Sequence, residues 1–165
     1  MQSPIGIKLE GARELEAALS RMSRKAARSV VTKAVRKAQT PLRDAIRQRI
    51  KSELMTMNAR ARAEYSKQVG TSFRAARQGG VVGKVRTASR KVRVGNRVTN
   101  FAPLAHIFDG GAAPHKIKQK HRTIDHPGIR ATPIWAMTFD KMKEKMAQDF
   151  MDYMFEQLAS EWRRK

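Results

Sequence analysis

The residues with the means for acid/base or metal chemistry are few. They are the four histidines His106, His115, His121 and His126, the carboxylates Asp109 and Asp125 beside them, and glycines at 79–80, 83, 95 and 110–111. His115, His121 and His126 stand six and five residues apart, which fits no helical or strand ligand pair, and only Asp125 accompanies them. Asp109 and Asp125 would serve as an acid/base pair only if brought together, and nothing in the local sequence does so. The glycines lack the following Lys-Ser/Thr of a phosphate-binding loop. Cysteine is absent, which removes thiol catalysis, thiolate metal sites and disulfides. The reading is of a chain without catalytic, cofactor-binding or metal-binding residues. A nuclease that works through His106 and neighbouring basic residues is the enzymatic alternative.

Charge is the stronger signal. The 165 residues carry a net charge of +21. From Pro133 onward Lys141, Lys143, Lys145, Arg163, Arg164 and Lys165 balance Asp140, Glu144, Asp149, Asp152, Glu156 and Glu161, so the excess lies in residues 1–132. Such a charge promotes encounter with polyanions and non-specific affinity for nucleic acid. Acidic neighbouring proteins would answer the same charge. No apolar run approaches the roughly 20 residues of a membrane span, and the chain reads as a soluble cytoplasmic protein.

Periodicity supplies the elements that would position these groups. Residues 4–10 alternate Ile5, Ile7 and Leu9 with small or polar residues, as an edge strand does. Residues 12–54 read as one long helix. Its apolar positions step by three or four through Leu15, Leu19, Met22, Ala26, Val30, Ala34, Ala38, Leu42, Ile46, Ile50 and Leu54, with a kink or restart expected at Thr40-Pro41. The opposite face carries Arg21, Arg24, Lys25, Arg28, Lys33, Arg36, Lys37, Arg43, Arg47, Arg49 and Lys51, a solvated face or one turned toward DNA or an acidic partner, with Arg21, Arg24, Lys25, Arg28, Arg36, Arg43 and Arg47 the candidates to face it.

Residues 55–80 lose the apolar period and read as a basic extended or loop segment that a neighbouring subunit would hold. Residues 81–98 read as a β-hairpin turning at Ala88-Ser89-Arg90, and 101–131 as a strand and a long His/Lys-rich loop. A C-terminal helix over 132–163 starts at Thr132-Pro133, the N-cap and first helical position. It carries Trp135, Phe139, Met142, Met146, Phe150, Met154, Leu158 and Trp162. The fold class expected is α+β, a single domain in which a small antiparallel sheet packs against a long kinked N-terminal helix and a C-terminal helix.

One order of elements ties these together. A Gly11-to-Leu15 helix start leads into a long Ala/Arg/Lys helix with an internal proline, then a valine hairpin. Leu104-Ala105-His106-Ile107-Phe108-Asp109-Gly110-Gly111 follows, then His126-Pro127-Gly128, and then Thr132-Pro133-Ile134-Trp135. This order resembles the tail-completion, or neck, proteins of tailed bacteriophages and related gene transfer agents. The family usually has Glu at the position of Asp109, an aromatic at Gly110 and Phe at Ile134.

The resemblance implies a non-enzymatic virion protein at the head–tail junction, present in the host cytoplasm during assembly. It implies a homo-oligomeric ring that joins the head connector or head-closure protein to the tail terminator or tail tube around the DNA channel. It also implies an assembly role for His106, Asp109, Gly111, His126, Pro127, Gly128, Pro133 and Trp135, with DNA passing without sequence-specific contact and no membrane involved. A nucleoid-type protein that binds DNA non-specifically is the alternative function.

Overall fold

The apolar steps at three and four residues become a buried stripe in the computed structural model of the chain. The structure describes residues 12–75, 81–119 and 122–163. The edge strand expected over 4–10, together with His121, lies outside them. The fold is α+β, with three small antiparallel two-stranded sheets. Helix α1 (Ala12–Ser20) precedes α2 (Arg24–Glu53), α3 (Ala59–Gln68), and strands β1 (Val69–Ala75), β2 (Val81–Thr87), β3 (Lys91–Val94) and β4 (Arg97–Asn100). A 3-10 turn (Ala102–Leu104) then leads into α4 (Ala105–Gly110), strands β5 (His115–Gln119) and β6 (Arg122–His126), and α5 (Ile134–Trp162).

The helix expected over 12–54, with a kink or restart at Thr40-Pro41, is divided, and not at the proline. The last turn of α1 tightens, with the Arg21 and Met22 amides donating to the carbonyls of Ala18 and Leu19. Ser23 then caps the next helix, its Oγ accepting from the Ala26 amide at 3.3 Å and its carbonyl from the Ala27 amide at 2.9 Å. Pro41 sits inside α2, which continues past it. Thr40 does not restart a helix; its hydroxyl donates to the Arg36 carbonyl at 2.9 Å. Ala38 and Leu42, on either side of the proline, are both buried, and burial of that stripe outweighs the one backbone bond a proline forfeits.

The described residues gather into two compact units, where the sequence reads as one domain. The first comprises residues 12–42, 71–75, 81–85 and 140–163. Its core joins Leu15 and Ala18 of α1, Val30 and Ala34 of α2, and Met151, Met154 and Leu158 of α5. Leu19, Met22, Val31, Phe150 and Tyr153 pack around them. Methionine suits this role, since an unbranched side chain fills the irregular gaps between three helices. Gly83 of β2 faces α2 so closely that a Cβ there would lie 2.5 Å from the Val35 Cγ1.

The second unit comprises residues 43–70 and 86–139. Ile46, Ile50, Leu54, Tyr65, Val69, Phe101, Phe108 and Ile134 are buried there. The Tyr65 ring stacks on Phe101 with centroids 5.1 Å apart and meets Phe108 at 5.9 Å. This aromatic centre depends on α3, which occupies part of the segment expected to be extended or a loop. Asn58 starts that helix, its side chain accepting from the Ala61 amide at 2.9 Å. The apolar period is weak because the buried face includes Ala61, Ser66 and Gln68 beside Tyr65. Gln68 is tied down from two sides, its carbonyl by the Ala88 amide at 2.8 Å and its Oε1 by Arg90 at 2.6 Å.

Strand pairing also differs from the expected 81–98 hairpin. β2 pairs with β1, while β3 pairs with β4 in the register Lys91↔Asn100 to Val94↔Arg97. The turn is Gly95-Asn96, in which only Gly95 has positive φ (62°), as a two-residue hairpin with glycine first requires. The strand and long loop expected over 101–131 are instead the short helix α4 and a second hairpin, β5 with β6.

Candidate functional site

The motif residues His106 to Trp135, far apart in sequence, meet in the second unit as a backbone clasp. Leu104–Gly111 forms the end of the 3-10 turn and α4, and Gly111 ends that helix at φ 75°. The chain then makes the β5–β6 excursion and returns at Pro127-Gly128. At its base Ala112 and Ile129 exchange both backbone hydrogen bonds at 2.8 Å. Two glycines permit that approach. A Cβ on Gly128 (φ 86°) would stand 2.4 Å from the Ala112 carbonyl oxygen, and one on Gly111 would stand 2.9 Å from the Ile129 oxygen and the Ala131 nitrogen. At both positions an L side chain would meet the strain of a left-handed backbone and close contact with main chain.

The start of α5 is fastened to α4. The Thr132 amide donates to the Phe108 carbonyl, and the Trp135 amide donates to Asp109 Oδ1, both at 2.8 Å. Asp109 therefore supplies the acceptor at the N-terminus of α5, in place of the Thr132 cap expected from the sequence. A carboxylate there also meets the positive end of the helix dipole. Pro133 immediately precedes α5, and its carbonyl accepts from the Met137 amide at 3.2 Å. Asp109→Ala should cost about 1–2 kcal/mol, read as a lower urea midpoint, and Asp109→Asn should restore most of it because an amide oxygen also caps.

A cleft of about 310 Å³ opens beside this clasp, lined by Arg86, Thr87, Ala102, Ala105, His106, Asp109 and Trp135. His106 is exposed on its wall. The buried hydroxyls of Tyr65 and Thr87 have no partner with full hydrogen-bond geometry among the described residues. Burial raises the Tyr65 phenol above the ordinary tyrosine value. The nearby Trp135 and Thr87 side chains oppose that shift, and the Asp109 charge adds to it.

Of the described histidines, His115 and His126 meet each other and not His106. The hairpin sets His115 opposite His126, their rings stacked with centroids 4.9 Å apart. His115 Nδ1 lies 2.9 Å from the Ala113 carbonyl, and His126 Nδ1 accepts the Gly128 amide at 3.1 Å, so these rings lock the hairpin base. Among the described residues no group of three or more His, Asp or Glu is placed to hold a metal ion. No described helix is long and apolar enough to cross a membrane.

The basic residues separate into two sets. Arg43 and Arg47 are half-buried and engaged. Arg43 forms a two-point pair with Asp44 (2.8 and 2.9 Å), while Arg47 donates to the Val69 carbonyl at 2.9 Å. The hydrogen bond from Arg43 holds the Asp44 carboxyl below its usual value and Arg43 above its own. Arg49, of the same basic face, is also engaged. It pairs with Glu53 at 2.6 Å and reaches Thr138 Oγ1 at 3.0 Å, and the Glu53 hydrogen bond raises its pKa. By contrast Arg21, Arg24, Lys25, Arg28 and Arg36 are exposed and form no ion pair among the described residues. Arg36 rests over the Phe73 ring, 5.1 Å from its centroid.

Comparison with protein-family models, with curated proteins and with solved structures finds no match for this chain.

Proposed function

We propose that the chain is a structural component of a tailed-phage neck, a ring-forming protein that joins the head connector to the tail tube around the DNA channel. The observation that carries this reading is the clasp. The two short motifs behind the family resemblance, Leu104–Gly111 and His126–Trp135, meet in it through Asp109, Gly111, Gly128 and the Thr132 amide. The Asp109 carboxylate and His126 Nδ1 each accept a backbone amide, as suits residues that serve shape and assembly. Its partners in this reading are further copies of itself, the head-closure and tail-terminator proteins on either side, and the DNA that passes through.

Electron microscopy of the purified chain, alone and with connector and tail-tube subunits, should reveal rings. Deleting its gene from the parent particle should leave filled heads and finished tails that fail to join. Infectious particles formed at normal yield without the protein would overturn the reading. Trp135→Ala or Pro133→Gly should reduce ring yield while leaving nucleic-acid affinity unchanged, because neither residue belongs to the basic face of α2.

A further inference from the structure

We propose that the first half of α2 is a non-specific contact surface for the phosphate backbone of duplex DNA, centred on Lys25, Arg28, Lys33 and Arg36. These cations recur at intervals of three, five and three residues and, with Ser29 and Thr32, line one shallow groove of about 370 Å³ along the helix. At 1.5 Å of rise per residue the groove runs for about 16 Å, a length over which one B-form duplex presents several phosphates. The surface lies within the first unit and requires no second chain.

Three observations favour nucleic acid over an acidic protein. First, none of these four cations has an ion-pair partner among the described residues, whereas the cations of the second half of α2 do: Arg43 and Arg47 share Asp44, and Arg49 holds Glu53. A helix that leaves one run of like charges uncompensated bears their mutual repulsion, which a bound polyanion relieves. Second, the groove contains no aromatic or large apolar side chain. Protein interfaces are centred on such anchors and are poor in lysine, while nucleic-acid interfaces are polar and strongly positive. Third, Ser29 lies between the cations, and hydroxyls join Lys and Arg as common phosphate donors, while the Thr32 hydroxyl donates to the Arg28 carbonyl at 2.8 Å and only lines the groove. Arg36 is already oriented by Phe73, its guanidinium 5.1 Å from the ring centroid.

The test uses the full chain and a short mixed-sequence duplex, with affinity followed by fluorescence anisotropy across a salt series. Lys25→Gln, Arg28→Gln and Lys33→Gln are combined, leaving Arg36 to its contact with Phe73. The triple variant should bind more than about tenfold more weakly, and the slope of log affinity against log salt should become shallower by about 2.7, at about 0.9 for each phosphate no longer neutralised. A control variant removes the same charge elsewhere, through Arg97→Gln, Lys116→Gln and Lys118→Gln on exposed positions of β4 and β5. It should change the slope by less than about one.

Equal losses in the two variants would mean that bulk charge, not this face, binds DNA, and would overturn the proposal. So would wild-type binding to poly-glutamate as tight as to duplex and equally weakened by the triple substitution, which would assign the face to an acidic protein. Circular dichroism of both variants checks that α2 remains folded. The proposal stands apart from the neck reading, because the duplex assay needs no ring: a ring without this DNA affinity, or a monomer with it, separates the two.

Discussion

Gly128→Ala should lower stability by about 3 kcal/mol or more, while Gly95→Ala should cost only about 1–2 kcal/mol. Both glycines have positive φ, 86° and 62°, so both substitutions carry the strain of placing an L residue in the left-handed region. They differ in what the new methyl would meet. Around Gly95 there is open space, whereas at Gly128 the Cβ would lie 2.4 Å from the Ala112 carbonyl oxygen and 3.0 Å from the Ala113 carbonyl carbon. Those atoms are main chain, and Ala112 is held by two 2.8 Å bonds to Ile129, so relief requires breaking the bridge that closes the clasp. Urea denaturation of the two variants in parallel measures the difference. Equal shifts would show that the bridge yields easily and that the clasp does not set the geometry at the start of α5.

Tyr65→Ala should be comparably damaging, at about 3–5 kcal/mol, because it empties the space between Phe101 and Phe108. Tyr65→Phe should be neutral or stabilising near neutral pH, since it keeps the stacked ring and removes a buried hydroxyl without a well-formed partner. The two substitutions together separate the contribution of the ring from that of the oxygen. Burial, the dominant cause, raises the folded-state pKa of this phenol. Its contribution to stability is therefore complete below about pH 10, where the phenol is neutral in both folded and unfolded chains. Above that the unfolded chain loses the proton first, and stability falls as pH rises toward the folded-state value. Tyr65→Phe should flatten this alkaline loss in urea midpoints taken from neutral to strongly basic pH. An identical alkaline decline in wild type and variant would mean that Tyr65 does not control it.

How much of this could be read from the sequence depended on whether the signal was local. The stripe from Val30 to Leu54 was legible because burial on one helix face repeats at a period the sequence displays directly. Helix α5 was legible for the same reason, although its most deeply buried residues include Met151 and Thr138, outside the expected Trp135–Trp162 stripe. Helix α3 was missed because its buried face combines alanine, serine and glutamine with a single aromatic. Asn58 was the available signal, a side chain suited to cap a helix just ahead of it. Gly95-Asn96 likewise marks the true hairpin turn, but the two valine runs on either side of Ala88-Ser89-Arg90 carry an equally strong strand signal and so mask it.

The clasp was legible as a list of residues but not as an arrangement. Nothing local joins Asp109 to the Trp135 amide or sets His115 against His126. Those pairings follow from the way α4 and the β5–β6 hairpin fold back. The division of the basic residues was hidden for a related reason. Arg43, Arg47 and Arg28 look alike in sequence, and only Asp44 and the Val69 carbonyl distinguish engaged cations from free ones.

The first unit's core has a consequence for the order in which the molecule is made. Leu15 and Ala18 pack with Met151, Met154 and Leu158, so the chain must close a loop of about 130 residues before that core forms. The second unit draws on 43–70 and 86–139 alone, all of which leave the ribosome before Met151 does. During synthesis it is the unit able to complete first, while α1 and the first half of α2 wait with their apolar stripe uncovered. A nascent chain arrested behind an unstructured linker long enough to carry Phe139 out of the ribosomal exit tunnel should therefore resist protease over 43–70 and 86–139 and be cut readily within 12–42. The basic face of α2 is then available to polyanions in the cell before the core beneath it has closed.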